Sequence, residues 1–236
     1  MRFNDSLLVR HLSTLAPPAA APADPGVAQR VAQWLNVADA ITLHAAHQSV
    51  AQGPAQALPV RAKAPATPAS LQQALERTRH TLRASVTRRE KTLDTEYPLY
   101  HQRYQDEQRR MEMSVQALRE HVRQGLLAQS DPRLAQLVAM DTMLGQMLLP
   151  REQRLLAGVP GFLKTRYHQL RTQHQPSPAD GPAQALVPVN PQAAWLAQFV
   201  NEFEQTLLAE LDLRLQPVLG MLEALGHEPV ATPDPT

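Results

Sequence analysis

The sequence predicts an all-α protein, an elongated helical bundle with two long Pro/Ala-rich linkers and a C-terminal amphipathic helix. Three observations carry this. Apolar residues recur at three- and four-residue spacing over most of the chain, with no alternating strand pattern. Only 4% of the 236 residues are aromatic and only 9 are glycine, which argues against a β-sandwich, a Rossmann domain or a P-loop domain. The 21 prolines are clustered, so they punctuate the helices and do not pervade them.

The chain divides accordingly into N-terminal short helices (1–50), a linker (51–69), a long-helix core (70–173), a second linker (174–190), a C-terminal amphipathic helix (191–227) and a tail (228–236) expected to be disordered. Residues 4–15 read as a short helix capped by Asn4 or Asp5, with Leu7, Leu8, Leu12 and Leu15 on one side. Between Pro25 and Val50, residues Val27, Val31, Trp34, Leu35, Ala38 and Ile41 repeat at helical spacing, and Asn36 can break the run. A helix–turn–helix is open there, but Ala40 and Thr42 are poor choices for reading DNA. The 51–69 stretch holds Pro54, Pro59, Pro65 and Pro68, which forbid a regular helix.

Ser70-x-x-Gln73 matches a capping box and opens the core. Leu71, Leu75, Leu82, Val86 and Leu93 lead to Pro98, where a bend is expected. Tyr100, Tyr104, Met111, Val115, Leu118, Val122 and Leu126 continue the pattern. Asp131-Pro132 is a cap followed by proline at the first helical position. Leu134, Leu137, Val138, Met140, Leu144, Met147 and Leu148 then form a broad apolar face, which Pro150 should kink or divide. Gly158-Val159-Pro160-Gly161 is a break before one more short helix. Asn190-Pro191 opens the last helix, in which Trp195, Phe199, Phe203, Leu207, Leu211 and Leu215 mark every fourth residue, and Gly226 is its expected end.

Lys+Arg number 23 and Asp+Glu 22, a balance that disfavours a nucleic-acid coat protein or a polybasic membrane binder. The charges are segregated, however. Residues 70–171 carry 17 basic and 11 acidic side chains, whereas 191–236 carry one basic and seven acidic. The simplest explanation is that the acidic helix folds against the basic ones. The basic surface of interest is Arg77, Arg79, Arg83, Arg88, Arg89 and Lys91, then Arg103, Arg109 and Arg110. Its interleaved tyrosines suit a nucleic-acid surface, while Asp106, Glu107 and Glu112 stand within helical reach of the arginines and favour ion pairs.

With no cysteine there is no thiolate metal site, disulfide or cysteine nucleophile. The glycine-rich phosphate loops, the nucleophile elbow and the HExxH zinc motif are all missing. His44 and His47 could share a helix face, but Asp39 is badly spaced as a third ligand. The six methionines from Met111 to Met221 read as core filling before they read as an adaptable groove. No cofactor, metal or catalytic residue is assigned, and no enzymatic activity is expected. Asp5, Arg10 and His11 interrupt the N-terminal apolar residues, so neither a signal peptide nor a membrane span is expected.

Three stretches resemble a proteobacterial helical protein family with no assigned activity: Ala32–Leu43, Tyr97–Tyr104 with Gln108–Glu112, and Leu155–Pro160. Asn36 stands where that pattern has glycine, a change the left-handed turn tolerates. Genes of the family lie beside those for MotA/MotB- or TolQ/TolR-like membrane proteins and OmpA-like peptidoglycan-binding proteins. The resemblance implies an accessory to an envelope-associated, ion-driven, stator-like machine. It would be cytoplasmic and peripheral to the inner membrane through its partner. The function expected is a non-catalytic helical adaptor binding other proteins, its own copies among them. Its expected partner face is Trp195, Phe199, Phe203, Leu207 and Leu211, unless that stripe docks on the chain's own bundle. The alternative is a nucleic-acid-associated helical protein using the Arg-rich helices of 77–110.

Overall fold

A computed structural model describes residues 6–15, 44, 48, 66–88, 95–174 and 191–226. The described residues are helical apart from short turns and contain no strand, so the all-α class holds. The helices are α1 (Leu7–Leu15), α2 (Pro68–Val86), α3 (Tyr97–Leu127), α4 (Pro132–Leu156), α5 (Val159–Gln173) and α6 (Pro191–Gly226). The two short helices expected between Pro25 and Val50, apart from residues 44 and 48, lie outside the described residues, as do most of both linkers, the Asn190 cap and the tail.

Proline chemistry sets most of the boundaries. α2 begins at Pro68, two residues before the expected capping box. Thr67 is its cap, and its hydroxyl accepts the Ser70 N–H at 3.2 Å. Proline fits the first turn because the missing N–H has no helical partner there. For the same reason Pro98 does not bend a continuous helix but sits in the first turn of α3. At the next boundary Ser130 takes a left-handed φ of 55°, and the Asp131 carboxylate accepts the Arg133 N–H at 2.8 Å to open α4. Pro150 and Pro217 lie inside α4 and α6 without dividing either helix. Both are exposed, and water can satisfy a carbonyl freed on that side.

The described residues form two compact units. The first comprises 6–15, 82–88, 95–111, 151–174 and 191–213, and the second 66–81, 112–150 and 214–226. The core of the first unit is aromatic. Tyr100 meets Phe199 edge-on at 5.1 Å between ring centroids, and Tyr167 meets Phe199 at 5.1 Å and Trp195 at 5.2 Å. The core of the second unit is aliphatic, built from Leu71, Leu75, Val115, Leu118, Val122, Leu126, Leu215 and Val218. α1 belongs to the first unit and buries Leu8 and Leu15; Leu7, expected on that face, is 55% exposed. Leu8, His11, Leu12 and Leu15 align at 3.6 residues per turn, which leaves Leu7 a quarter turn away.

Two glycines give opposite expectations. A Cβ on Gly125 of α3 would stand 2.7 and 2.9 Å from the two methyls of fully buried Leu71. A Cβ on Gly220 of α6 meets nothing within 4 Å. Alanine at an open helical site gains up to about 1 kcal/mol, whereas overpacking a core costs about 1–3 kcal/mol. Thermal melts should therefore show Gly220→Ala stabilised and Gly125→Ala destabilised.

Candidate functional site

Trp195, Phe199, Phe203, Leu207 and Leu211 are all buried, between 0% and 6% exposed. The stripe is the interior face of α6 and presents no surface to a partner. It takes that place because α6 carries its largest side chains, Trp195, Phe199 and Phe203, on one side of the helix, where the four tyrosines of α3 and α5 close over them.

The basic residues are largely engaged. Arg83 pairs with Asp212 at 3.3 Å, Arg109 with Asp106 at 3.7 Å and Arg110 with Glu107 at 3.4 Å. Arg103 donates to the Val86 carbonyl at 2.8 Å and lies 5.5 Å above the Phe203 ring, so it caps the C-terminal end of α2. Arg77 is exposed and folds back on the Gln73 carbonyl; Arg79 is half-buried and Arg88 exposed. Arg89 and Lys91 lie outside the described residues. Of the two histidines weighed as ligands, His44 is exposed with Gln48 Nε2 at 2.9 Å, and His47 lies outside the described residues. Among the described residues no three His, Asp or Glu side chains gather in a way that could hold a metal.

Buried polar groups that the helical pattern did not reveal form four clusters. On α6, Glu202 accepts a two-pronged bond from Arg166 of α5, at 2.8 and 2.7 Å, and a third from Gln198 at 2.9 Å. His11 of α1 has Nε2 3.2 Å from the Glu202 carbonyl and 3.1 Å from the Thr206 hydroxyl. A carbonyl only accepts, so that nitrogen carries a proton. Fully buried Glu210 accepts from the Tyr104 hydroxyl and from Gln108 at 3.0 Å, while Glu107 accepts from Ser85 at 2.7 Å. In the second unit the Asp141 carboxylate of α4 receives Arg119 at 2.9 and 2.6 Å and Arg123 at 2.7 Å. Each carboxylate is met by donors from another helix, so these clusters fasten one helix to the next.

One surface departs from the rest. Between Pro132 and Pro150, α4 is mostly Leu, Met and Ala, yet its only well-buried residues are Val138 and Asp141. Met140 is 42% exposed, Leu148 44% and Leu149 45%, while Leu134, Leu137, Met143, Leu144 and Met147 are half-buried. The methionines thus split. Met111 and Met221 fill the core as expected, but Met113 and the three of α4 do not. Leu137, Met140, Leu144 and Met147 follow one another at three-, four- and three-residue spacing, a seam about a quarter turn from Asp141. A partly open Leu/Met seam on a helix is the kind of surface that takes up another helix.

The profile of a family described as Protein of unknown function (DUF3348) matches residues 1–227. The chain belongs to this family. The DUF3348 match spans α1 to α6. No curated protein and no solved structure matches the chain. Among the described residues no helix is long and apolar enough to cross a membrane.

Two pH limits follow from the buried groups. Burial raises the Glu202 carboxyl, but the hydrogen bonds from Arg166 and Gln198 and the charges of Arg166 and His11 outweigh it and leave it lowered from 4.5. Its contribution to stability is complete above 4.5 and is lost as the pH falls through the lowered native value. Melting temperature should fall more steeply on acidification below 4.5 in the wild type than in Glu202→Gln. On the alkaline side, burial pushes the Tyr97 phenol up to about 12 from 10.0, and burial also raises Tyr167. The unfolded chain ionises first, so stability is complete below pH 10 and declines toward 12. A tyrosinate absorbance titration should show part of the signal delayed beyond pH 10 until unfolding, and Tyr97→Phe should reduce that part.

Proposed function

We propose that this protein is a non-catalytic helical adaptor that binds a partner protein through the Leu/Met seam of α4. The observation behind the reading is that, among the long described helices, α4 leaves the most of its apolar face partly open, while the comparable faces of α3 and α6 are buried. A partner helix with leucine-like residues at heptad spacing fits the seam. The buried polar groups have structural work to do, since each bonds across helices, and no enzymatic role is proposed for them. The chain's resemblance to a family encoded beside stator-like and peptidoglycan-binding proteins supports a partner of that kind. A cytoplasmic adaptor held at the inner membrane by such a partner is consistent with it. The nucleic-acid reading is weakened, because Arg83, Arg103, Arg109 and Arg110 bond within the chain.

The test is affinity purification of the tagged full chain from its native host, beside Met140→Glu/Leu148→Glu. Exposed substitutions usually change stability by within about 0.5 kcal/mol, so the variant should melt like the wild type. The wild type should co-purify with an ion-driven or peptidoglycan-binding membrane protein, and the variant should lose it. The same partners in both samples, or nucleic acid in their place, would overturn the reading.

A further inference from the structure

We infer that the side of α6 bearing Glu202 and Thr206 is a helix-binding site, that α1 is its resident occupant, and that an amphipathic helix of a partner protein enters it by displacing α1. The partner helix carries leucine-like side chains at positions i, i+4 and i+7 and a hydrogen-bond donor at i+3. The site lies in the first unit and does not depend on the reading of the α4 seam.

The first observation is how α1 is seated. Leu8, His11, Leu12 and Leu15 stand at i, i+3, i+4 and i+7, the anchor spacing of a helix laid in a groove. Leu8 and Leu15 are buried, and His11 and Leu12 are half-buried. On α6, Thr206 and Ala209 follow Glu202 by four and seven residues, so the three share one row, and all three are buried. Thr206 and Ala209 are small, which lets a second helix come close.

The second is the polar contact. His11 Nε2 stands 3.2 Å from the Glu202 carbonyl and 3.1 Å from the Thr206 hydroxyl oxygen. The Thr206 hydroxyl donates its own proton to the Glu202 carbonyl at 2.8 Å. Both α6 groups therefore accept from His11, and the site selects a donor. Water can replace His11 at both acceptors, and the Glu202 carboxylate keeps Arg166 and Gln198 either way. The departure of α1 thus strands no buried charge.

The third is the slightness of α1 itself. Its nine residues fall short of the about 12–15 that make an isolated helix even marginally stable in water, so it is helical because it is docked. Ser6, at its N-cap position, has a buried hydroxyl with no hydrogen-bond partner, so the helix start forgoes its side-chain cap. Its far side shows Leu7 and Val9 to water. An element held by two buried leucines and one histidine opens locally before the rest of its unit does.

A fluorescein-labelled peptide of residues 6–17 stands in for the partner helix. The protein is the full chain carrying Leu8→Asp/Leu15→Asp, which frees the site. Fluorescence anisotropy should show saturable binding to this variant and binding at least about tenfold weaker to the wild type, where the tethered α1 competes. The peptide with His11→Ala should bind about two- to tenfold more weakly, the cost of a lost hydrogen bond. No binding to the variant, equal binding to both proteins, or indifference to His11→Ala would overturn the proposal. Native-state hydrogen exchange on the wild type covers the case in which the variant misfolds. The amides of Arg10 to Leu15 should exchange about 100-fold or more faster than those in the middle of α6. Equal protection would make α1 a fixed part of the core. Protection of α1 that rises with protein concentration would mean that a second copy supplies the helix. Either result overturns the proposal.

Discussion

The first unit depends on a single aromatic cluster. All four tyrosines, Trp195, Phe199 and Phe203 meet there edge-on or tilted across α3, α5 and α6. A chain with 4% aromatic residues has spent most of them on one place. The tyrosines also bring hydroxyls that must be satisfied when buried. Tyr97 donates to the Pro160 carbonyl at the start of α5, Tyr167 to Thr95 just before α3, and Tyr104 to Glu210 on α6. The same rings that supply apolar area thus also fix how the helices meet, and bonds of this kind are costly to leave unmade.

The ion pairs extend that logic to charge. The acidic C-terminal helix does fold against basic ones, since Arg83 and Arg166 reach Asp212 and Glu202. Neither Glu202 nor Asp141 is exposed, and removing one member of a buried pair costs about 3–5 kcal/mol, mostly by stranding its partner. Apolar faces tolerate sliding by a turn. A carboxylate gripped by a guanidinium fork does not, because the bonds require one register. The segregation of basic and acidic residues along the sequence is in this sense a pairing instruction.

The helix spans were legible because their ends are chemical. Asp131-Pro132 caps α4 as its residues require, and the apolar stripes of α3 and α6 are buried almost position by position. The sequence places Pro68 in a linker and a bend at Pro98, whereas both sit in the first turn of a helix: proline disrupts a helix interior but suits a first turn, and spacing alone does not say which turn it is. The candidate site was hardly legible at all. The aromatic stripe of α6 and the Leu/Met row of α4 look alike as patterns, yet one is core and the other is surface. Periodicity records which side of a helix is apolar; whether a neighbour covers that side depends on the rest of the fold. Glu202, Glu210 and Asp141 are likewise hidden, since a carboxylate on a helix reads as solvated until a donor from another helix is seen to reach it.

α4 can bear an open seam because of how it is anchored. Most helices here are held by the apolar residues they bury, so uncovering that face would release them. α4 is held toward α3 by the two arginines on Asp141, with its seam a quarter turn away. The grip on Asp141 is electrostatic and local and does not require the seam to be filled. Covering or uncovering the seam then changes what the surface offers without dismantling the contact that places it. A helix anchored on one flank can leave the next partly open without losing its place in the fold, which a helix packed by its only apolar face could not do.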